Sequence, residues 1–252
     1  MPFSEGDTCL LLLVLCQLKL NNMNASIRRN EKITGIFFIA ATTSAIIGQQ
    51  YYSPVLKSTD ILESANAAST QIALGAFSEL MLAISNIGTA IMLYPRLKHF
   101  SESWGLGYSL FRLLEVVFIL IGLLCMLTIM TLSKGALSMS IEAKLSAQGI
   151  AGFLKQVYSW AFILGPHFML GINTLIYSSI FYLSKISPRK LAIFGITGAV
   201  LILLAAVLEI FGYIPHFSSA IIFLALPIAV YEMVLAGWLL IKGFNKEAYT
   251  AL

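Results

Sequence analysis

Six long apolar runs constrain the fold of this chain more than any other feature of its sequence. Each run is about 18 to 29 residues long and is rich in Leu, Ile, Ala and Gly. An α-helix needs about 20 such residues to cross the hydrocarbon core of a bilayer. The predicted spans are 33–50, 71–94, 106–132, 156–184, 191–213 and 219–241.

The composition leaves the chain too little polar surface to fold in water. Of its 252 residues 58% are hydrophobic and 11% are charged, against about 25% charged in soluble domains. A segment in lipid must satisfy its own backbone hydrogen bonds, as a helix or as a closed barrel. Barrel strands are alternating segments of about ten residues, which these runs do not resemble. We therefore predict an all-α integral membrane protein, a six-transmembrane-helix bundle over residues 28–252.

The start of the chain differs from the rest. The apolar stretch 9–20 is too short to span a bilayer, and Glu5 and Asp7 precede it where a secretory signal has basic residues. Met23 begins a second plausible start. We interpret residues 1–27 as an N-terminal extension that results from a translation start assigned upstream of the true one.

Lysine and arginine residues flank the runs asymmetrically, and cytoplasmic loops are the ones that carry an excess of them. One side holds ten: Arg28, Arg29, Lys32, Arg96, Lys98, Lys185, Arg189, Lys190, Lys242 and Lys246. The other side holds Lys57, Lys134, Lys144 and Lys155. This bias predicts that both termini are cytoplasmic. Because the basic residues form no stripe, we expect the bilayer as partner and no nucleic acid.

Two connectors are long, 51–70 with Pro54 and 133–155, and the second has helical apolar spacing typical of a helix lying at the interface. Gly165 and Pro166 predict a kink in the fourth span, and Pro227 predicts one in the sixth.

Ionisable residues inside the spans are the candidate functional residues. A charge near the middle of a bilayer costs about 2.5–3.5 kcal/mol on insertion scales, so these side chains must face the bundle interior. Small residues share their helical faces; Ala225, Ala229 and Ala236, for example, lie in line with one of the glutamates. The set is Glu79, Arg112, Glu115, His167, Glu209 and Glu232.

Depth along the helices divides these residues into two layers. Arg112 and Glu115 are three positions apart on one helical face, at about the depth of Glu232, so we expect Arg112 to bridge the two glutamates. Glu79, His167 and Glu209 form the second layer. One arginine does not neutralise four glutamates, so Glu79 and Glu209 either touch a water-filled cavity or are protonated.

Signatures of common enzymes are not found in the sequence. There is no HExxH, no Gly-x-Ser-x-Gly, no paired CxxC and no phosphate-binding glycine-rich loop. The three histidines, His99, His167 and His216, lie at different depths, which argues against a bis-histidine haem site. We assign no catalytic residue, cofactor or metal.

Several stretches resemble a bacterial family of six-helix membrane proteins that is named only as domain of unknown function 4386. They are IRRNEKITGIFFIAA, IMLYPRLKHF, SLFRLLEVVF, YLSKISPRKLAIFG and PIAVYEMVLAGWLLIKGF. In that family an Arg-x-x-Glu begins the third helix, a Pro-Arg precedes the fifth, and a Glu precedes a terminal Lys-Gly. The matching residues here are Arg112 with Glu115, Pro188 with Arg189, and Glu232 before Lys242 and Gly243.

The resemblance covers about residues 28–247 and implies a multi-pass protein of the bacterial inner membrane, with no assigned activity. Pro166 and His167 stand where members of the family are more apolar, so a role for this pair is peculiar to this branch.

Three classes of function stay open. The favoured one is binding or transport of a small molecule, lipid or proton at Arg112, Glu115 and Glu232. The second is a structural or regulatory protein whose buried charges only fix helix packing. The third is an intramembrane enzyme acting on a lipid or quinone, with Glu79 and His167 as acid and base. The sequence leaves the oligomeric state open.

Overall fold

The computed structural model describes residues 5–138, 140–216 and 218–245, with the side chains of 26–136, 138, 140–216 and 218–245. The described residues are mostly helical and include no β-strand. The helices are α1 (Glu5–Lys57), α2 (Ile61–Ala67), α3 (Ser69–Phe100), α4 (Glu102–Gly135), α5 (Ile141–Phe162), α6 (Leu170–Ser184), α7 (Arg189–Ile210) and α8 (Ser219–Ile241), with a 3₁₀ turn (Ala136–Ser138) and a π-helical segment (Ile163–Met169).

Within this described part of the chain, six helical runs are long and apolar enough to cross a bilayer. The predicted all-α bundle of six membrane helices is therefore confirmed. Boundaries differ by a few residues: α7 ends at Ile210, before the predicted end at 213, because Gly212 takes a φ of 73° and terminates the helix.

The six membrane helices form a closed ring in which each contacts its neighbours. α1 packs on α3, α3 on α4, α4 on the run from α5 to α6, α6 on α7, α7 on α8, and α8 back on α1. The last contact joins the two ends of the spanning region. The ring encloses a centre that all six helices can reach.

The apolar core consists of two main clusters at different heights. One lies towards the end of the bundle where Arg28 of α1 meets the C-terminal end of α8, here called the terminal end. It is built around Phe38, Tyr108 and Tyr177. The other, around Tyr52 and Met126, packs α2 and α5 on α4 towards the opposite end. Most of the buried charged residues lie between these clusters.

Hydrogen bonds from Arg28 tie the first and last membrane helices together at the terminal end. Its guanidinium donates to the carbonyl oxygens of Leu239 (2.7 Å), Leu240 (2.9 Å) and Ile241 (2.8 Å). These carbonyls end α8 and have no partner further along the helix, so a cation there satisfies them and opposes the negative end of the helix dipole. Glu31 pairs with both Arg28 (3.3 Å) and Arg96 (3.6 Å).

Gly165 and Pro166, where a kink is predicted, lie in the π-helical segment Ile163–Met169. Proline lacks a backbone N–H and its ring clashes with the carbonyl four residues earlier, which a wider π turn relieves. This segment carries His167. At Pro227, by contrast, α8 continues as an α-helix from Ser219 to Ile241.

The connector 133–155 is helical from Ile141 but runs into the fourth span instead of forming a separate helix. No residue between 141 and 162 breaks the helix, and the π turn accommodates Pro166 further on. The connector 51–70 is also mostly helical, because α1 continues through Pro54 to Lys57 and α2 follows.

Residues 1–27 are interpreted above as an N-terminal extension. Residues 1–4 of this segment, and the side chains of the segment up to residue 25, lie outside the described part of the chain.

Candidate functional site

Arg112 is the centre of a buried polar cluster, with a side chain that is 1% exposed. It forms an ion pair with Glu115, with 2.9 Å between Nη1 and Oε2, and its Nε donates to Thr89 Oγ1 at 3.1 Å. Its Nη2 lies 3.9 Å from Glu232 Oε1. The guanidinium also lies over the ring of Phe38, 6.0 Å from its centroid. Arg112 therefore lies between the two glutamates, close to one and at longer range from the other.

Three donors converge on the carboxylate of Glu115. Besides Arg112, Asn86 Nδ2 donates to Oε1 at 2.9 Å and Asn173 Nδ2 donates to Oε2 at 2.6 Å. These donors come from α3, α4 and α6. A buried carboxylate with this many donors is well compensated for its loss of water.

Glu232 is held more loosely than Glu115. Thr42 Oγ1 on α1 donates to its Oε2 at 2.9 Å. Its Oε1 is buried and has no hydrogen-bond partner among the described residues, and the same holds for Asn86 Oδ1. The orientation of the Asn86 amide follows from its Nδ2, which must face the Glu115 carboxylate. The cluster thus contains two buried acceptors with unused capacity.

Both acceptor residues line the same cavity, here called the central cavity, which has a volume of 170 Å³. Its polar lining consists of Thr42, Asn86, Arg112, Glu115, His167 and Glu232. The rest of the wall is apolar or small, and includes Ala45, Ile46, Ala225 and Ala229 on α1 and α8.

Tyrosine rings close the terminal side of the cluster. The ring of Tyr177 packs edge-on against Tyr108 (centroids 5.6 Å apart) and stacks with Tyr231 (6.1 Å). The Tyr231 hydroxyl lies 2.9 Å from Ser178 Oγ. This layer seals the cluster from the terminal end.

Glu79 lies in a separate site beside the central cavity. Tyr52 OH donates to its Oε2 at 3.2 Å. A cavity of 70 Å³ is lined by Glu79 together with Gln49 and Tyr158, and the hydroxyl of Tyr158 donates to Gln49 Oε1 at 2.9 Å. Ala45, Leu82, Phe162 and Pro166 line both cavities.

His167 and Glu209 form the third polar site. The distance from His167 Nδ1 to Glu209 Oε2 is 2.6 Å, and both side chains are buried. The other carboxyl oxygen of Glu209 lies 3.5 Å from Nδ1 of His216, in the connector between α7 and α8. We call these three residues the histidine row.

A family model described as domain of unknown function (DUF4386) matches residues 33–243 of the chain, which is most of its 252 residues. The chain belongs to this family. Neither a comparison with curated proteins nor one with solved structures gives a match.

The structure groups the candidate residues differently from the two predicted layers. It brings Arg112, Glu115 and Glu232 together around the central cavity. Of the expected second layer, His167 and Glu209 are paired, whereas Glu79 has Tyr52 as its partner. Glu79 and His167, the acid and base expected if the protein is an intramembrane enzyme, thus have separate partners. Depth along a helix does not show which neighbour a side chain faces, so the grouping of Glu79 with the other two in one layer stays a prediction.

Several members of the cluster were missed in the sequence, above all Asn173 and Thr42. A usable signal existed for Asn173, because an amide in the middle of an apolar run needs a partner in lipid. Nothing distinguishes Thr42 from its neighbour Thr43, whose hydroxyl only donates to the carbonyls of Ile39 and Ala40. Among the described residues, no group of three or more His, Cys, Asp or Glu side chains could hold a metal ion.

Proposed function

We propose that this protein binds, and carries across the bacterial inner membrane, a small solute with positive charge or several hydrogen-bond donors. The site is the central cavity, and both termini lie in the cytoplasm, as the distribution of basic residues predicts. We favour solute binding over the alternative in which the buried charges serve only helix packing.

The observation that carries the proposal is the pair of unused acceptors on the cavity wall. Glu232 is 6% exposed and Asn86 is 1% exposed, yet Glu232 Oε1 and Asn86 Oδ1 have no hydrogen-bond partner among the described residues. A buried polar atom without a partner costs about 1–3 kcal/mol. A bundle that needed these residues only for packing would gain by satisfying both atoms. A ligand with donors would satisfy them directly.

The charge and size of the cavity define the class of ligand. Arg112 contributes one positive charge, and Glu115 and Glu232 contribute two negative ones, so the formal charge is minus one. This favours a cation over an anion. Cavities of about 150 Å³ take a benzene-sized molecule, so a volume of 170 Å³ admits a solute of a few non-hydrogen atoms.

The cavity has an opening at the outer surface of the bundle. Ile46 on α1 lines the cavity although it is 56% exposed, and Ala225 and Ala229 on α8 are half-buried. The cavity therefore reaches the outer surface of the bundle between α1 and α8. Because Ala225 and Ala229 have small side chains, α8 leaves this opening wide.

A thermal-unfolding titration tests the proposal with purified protein in lipid nanodiscs. Methylammonium chloride is the probe, sodium chloride at equal ionic strength controls for salt, and sodium acetate controls for the sign of the charge. A ligand that binds only the folded protein stabilises it by about 2.7 kcal/mol at 100 times its dissociation constant. We expect methylammonium to raise the unfolding midpoint, and the two control salts to leave it unchanged.

Two variants with the same loss of charge locate the site. Glu232→Gln should weaken methylammonium binding about tenfold or more, a change of about 1.4 kcal/mol. Glu142→Gln, at an exposed position on α5, should bind as the wild type does. Equal affinity in Glu232→Gln and wild type would contradict the site, and stabilisation by acetate alone would contradict the charge of the ligand.

Uptake separates transport from binding. In proteoliposomes, radiolabelled methylammonium should accumulate faster with wild-type protein than with Glu232→Gln. Binding without uptake would overturn the transport half of the proposal and keep the binding half.

A further inference from the structure

A row of three titratable side chains leads from the surface opposite the terminal end to the central cavity. His216 is 28% exposed at its side chain and lies in the connector after α7. Its Nδ1 lies 3.5 Å from Glu209 Oε1 without forming a hydrogen bond, and Glu209 Oε2 lies 2.6 Å from His167 Nδ1. His167 lines the central cavity. A single buried carboxyl group thus joins a surface histidine to a cavity histidine.

We infer that the histidine row is a proton-transfer path between the outside of the bundle and the central cavity. This inference does not depend on the solute proposed above. It rests on the two oxygens of Glu209, each directed at a different imidazole, at 3.5 Å and 2.6 Å. The shorter distance is that of a strong hydrogen bond, and the longer needs to close by a few tenths of an ångström to become one.

The transfer balances with one proton moved and no other reactant. The path starts with a charged His216, a protonated Glu209 whose Oε2–H faces His167, and a neutral His167. Nδ1 of His216 gives its proton to Oε1, and Oε2 gives its proton to Nδ1 of His167. His216 is then neutral, Glu209 still carries one proton, and His167 carries the charge. His167 then releases a proton to the central cavity, and His216 takes one up from water outside the bundle. Rotation of the Glu209 carboxyl group, with His167 again carrying its proton on Nε2, restores the starting arrangement.

The surroundings of the row favour this direction of transfer into the bundle. Charged groups from two helices share the cavity with His167: Arg112 and Glu115 on α4, and Glu232 on α8. Tyr158 on α5 lines the neighbouring cavity, and Glu209 on α7 is the direct partner. The carboxylates of Glu115 and Glu232 on the cavity wall are acceptors for the proton that His167 passes on. The ring of Phe162 packs edge-on against His167, with centroids 5.0 Å apart, and Trp160 packs in the same way against His216 (5.5 Å), so both imidazoles are held in place.

Histidine-selective NMR tests the path directly, because the chain has only three histidines. The full-length protein is labelled with ¹⁵N in the histidine rings and studied in nanodiscs, and the rate at which the His167 ring exchanges its proton with water is measured. A positioned proton donor or acceptor accelerates transfer by about a hundredfold or more. We expect His216→Gln to slow exchange at His167 by about that factor.

Controls separate proton transfer from a structural effect. His99→Gln, at an exposed position at the terminal end, should leave exchange at His167 unchanged. In His216→Ala, added imidazole should restore the fast exchange, which a purely structural role of His216 would not allow. Glu209→Gln should slow exchange as well. The His216 variants are the decisive test, because they change a half-buried surface position and not the bundle interior.

Equal exchange at His167 in wild type and His216→Gln would overturn the path, and so would equal slowing in His99→Gln. Absence of rescue by imidazole, with the ring spectrum of His167 otherwise unchanged, would also contradict it. None of these outcomes depends on whether methylammonium binds, so the path and the proposed solute site can fail separately.

Discussion

α1 and α8 meet closely at the terminal end, here called the closed region. They separate around the central cavity half a helix away, here called the hollow region. At Gly35 the two backbones approach so closely that an added Cβ would lie 2.9 Å from the carbonyl oxygen of Ala236. Further along, the hydrogen bond from Thr42 to Glu232 still joins the helices. Beyond it, Ala45 on α1 and Ala229 on α8 line open volume.

The two regions show that small residues serve opposite purposes on one helical face. The stripe Ala225, Ala229, Ala236 was expected to mark a packing face throughout, because small side chains let helices approach. It does so at Ala236, where the partner is glycine. At Ala229 the partner helix does not approach, and the missing side-chain volume becomes cavity. Four predictions test whether the closed and the hollow regions behave as differently as their contacts indicate.

The largest effect is expected at Arg112, whose side chain lines the central cavity. In Arg112→Met the carboxylates of Glu115 and Glu232 lose their buried counter-ion. Removing one member of a buried ion pair costs about 3–5 kcal/mol, and we expect that loss in the free energy of unfolding, measured by equilibrium denaturation in mixed micelles. The exposed Arg29→Met is the matched control.

A second variant distinguishes loss of charge balance from loss of packing. Arg112→Met combined with Glu115→Gln and Glu232→Gln leaves no unpaired charge and should recover part of the lost stability. A loss below about 1 kcal/mol in Arg112→Met alone, the size of a surface ion pair, would show that Arg112 does not hold the cluster together.

The two glutamates should differ in the next largest effect. Glu115→Gln keeps one oxygen as acceptor and places an amide N–H against the donors on the other side, which are Asn86 or else Asn173 with Arg112. Hydrogen bonds to charged groups contribute about 1.5–3 kcal/mol each. Glu232→Gln keeps an acceptor for Thr42 and should cost less than about 1 kcal/mol. The same denaturation assay measures both. Equal losses would mean that Glu232 is held as firmly as Glu115 and that the hollow region is not loosely bonded.

The close contact at the terminal end gives a smaller effect. In Gly35→Ala the added Cβ would meet Ala236 O at 2.9 Å and Leu240 Cγ at 3.0 Å. Overpacking costs about 1–3 kcal/mol, so we expect a loss of that size in thermal or chemical unfolding. Gly237 is next to Ala236, but a Cβ added there would have no neighbouring atom within 4 Å. Gly237→Ala should therefore be neutral or stabilising by about 0.5–1 kcal/mol. If both variants were tolerated equally, α1 and α8 would not be in backbone contact.

The smallest effect is expected at Arg28, whose guanidinium caps α8 from a partly exposed position. Arg28→Gln should cost about 1 kcal/mol or less, because charges at helix ends contribute about 0.3–1 kcal/mol and are screened by salt. The loss should shrink as sodium chloride is raised. Arg29→Gln is the control, and a loss independent of salt would argue against the capping role.

Much of the fold could be predicted from the sequence because lipid imposes strong constraints. A polar side chain such as Glu209 inside an apolar run must face protein, and the structure buries it. The pair Arg112 and Glu115 follows from helical spacing alone. Ring closure between α1 and α8 could not be predicted, because periodicity shows which face of a helix is polar and not which helix covers it.

The same limit explains the details of the site that the sequence left out. Thr42 acquires its partner Glu232 only when the first and last membrane helices meet. Asn173 reaches Glu115 from α6, the helix that follows the π turn at Pro166. Glu79 pairs with Tyr52, a residue of a segment expected to be a connector.

A cryo-EM map of the protein in nanodiscs with methylammonium tests the central claim most directly. We expect density in the central cavity within hydrogen-bond distance of Glu232 Oε1 and Asn86 Oδ1, and its loss in Glu232→Gln. A bundle in which α1 and α8 close over this space, with Glu232 drawn onto Arg112 and no density between them, would contradict a solute site and leave the buried charges a structural role.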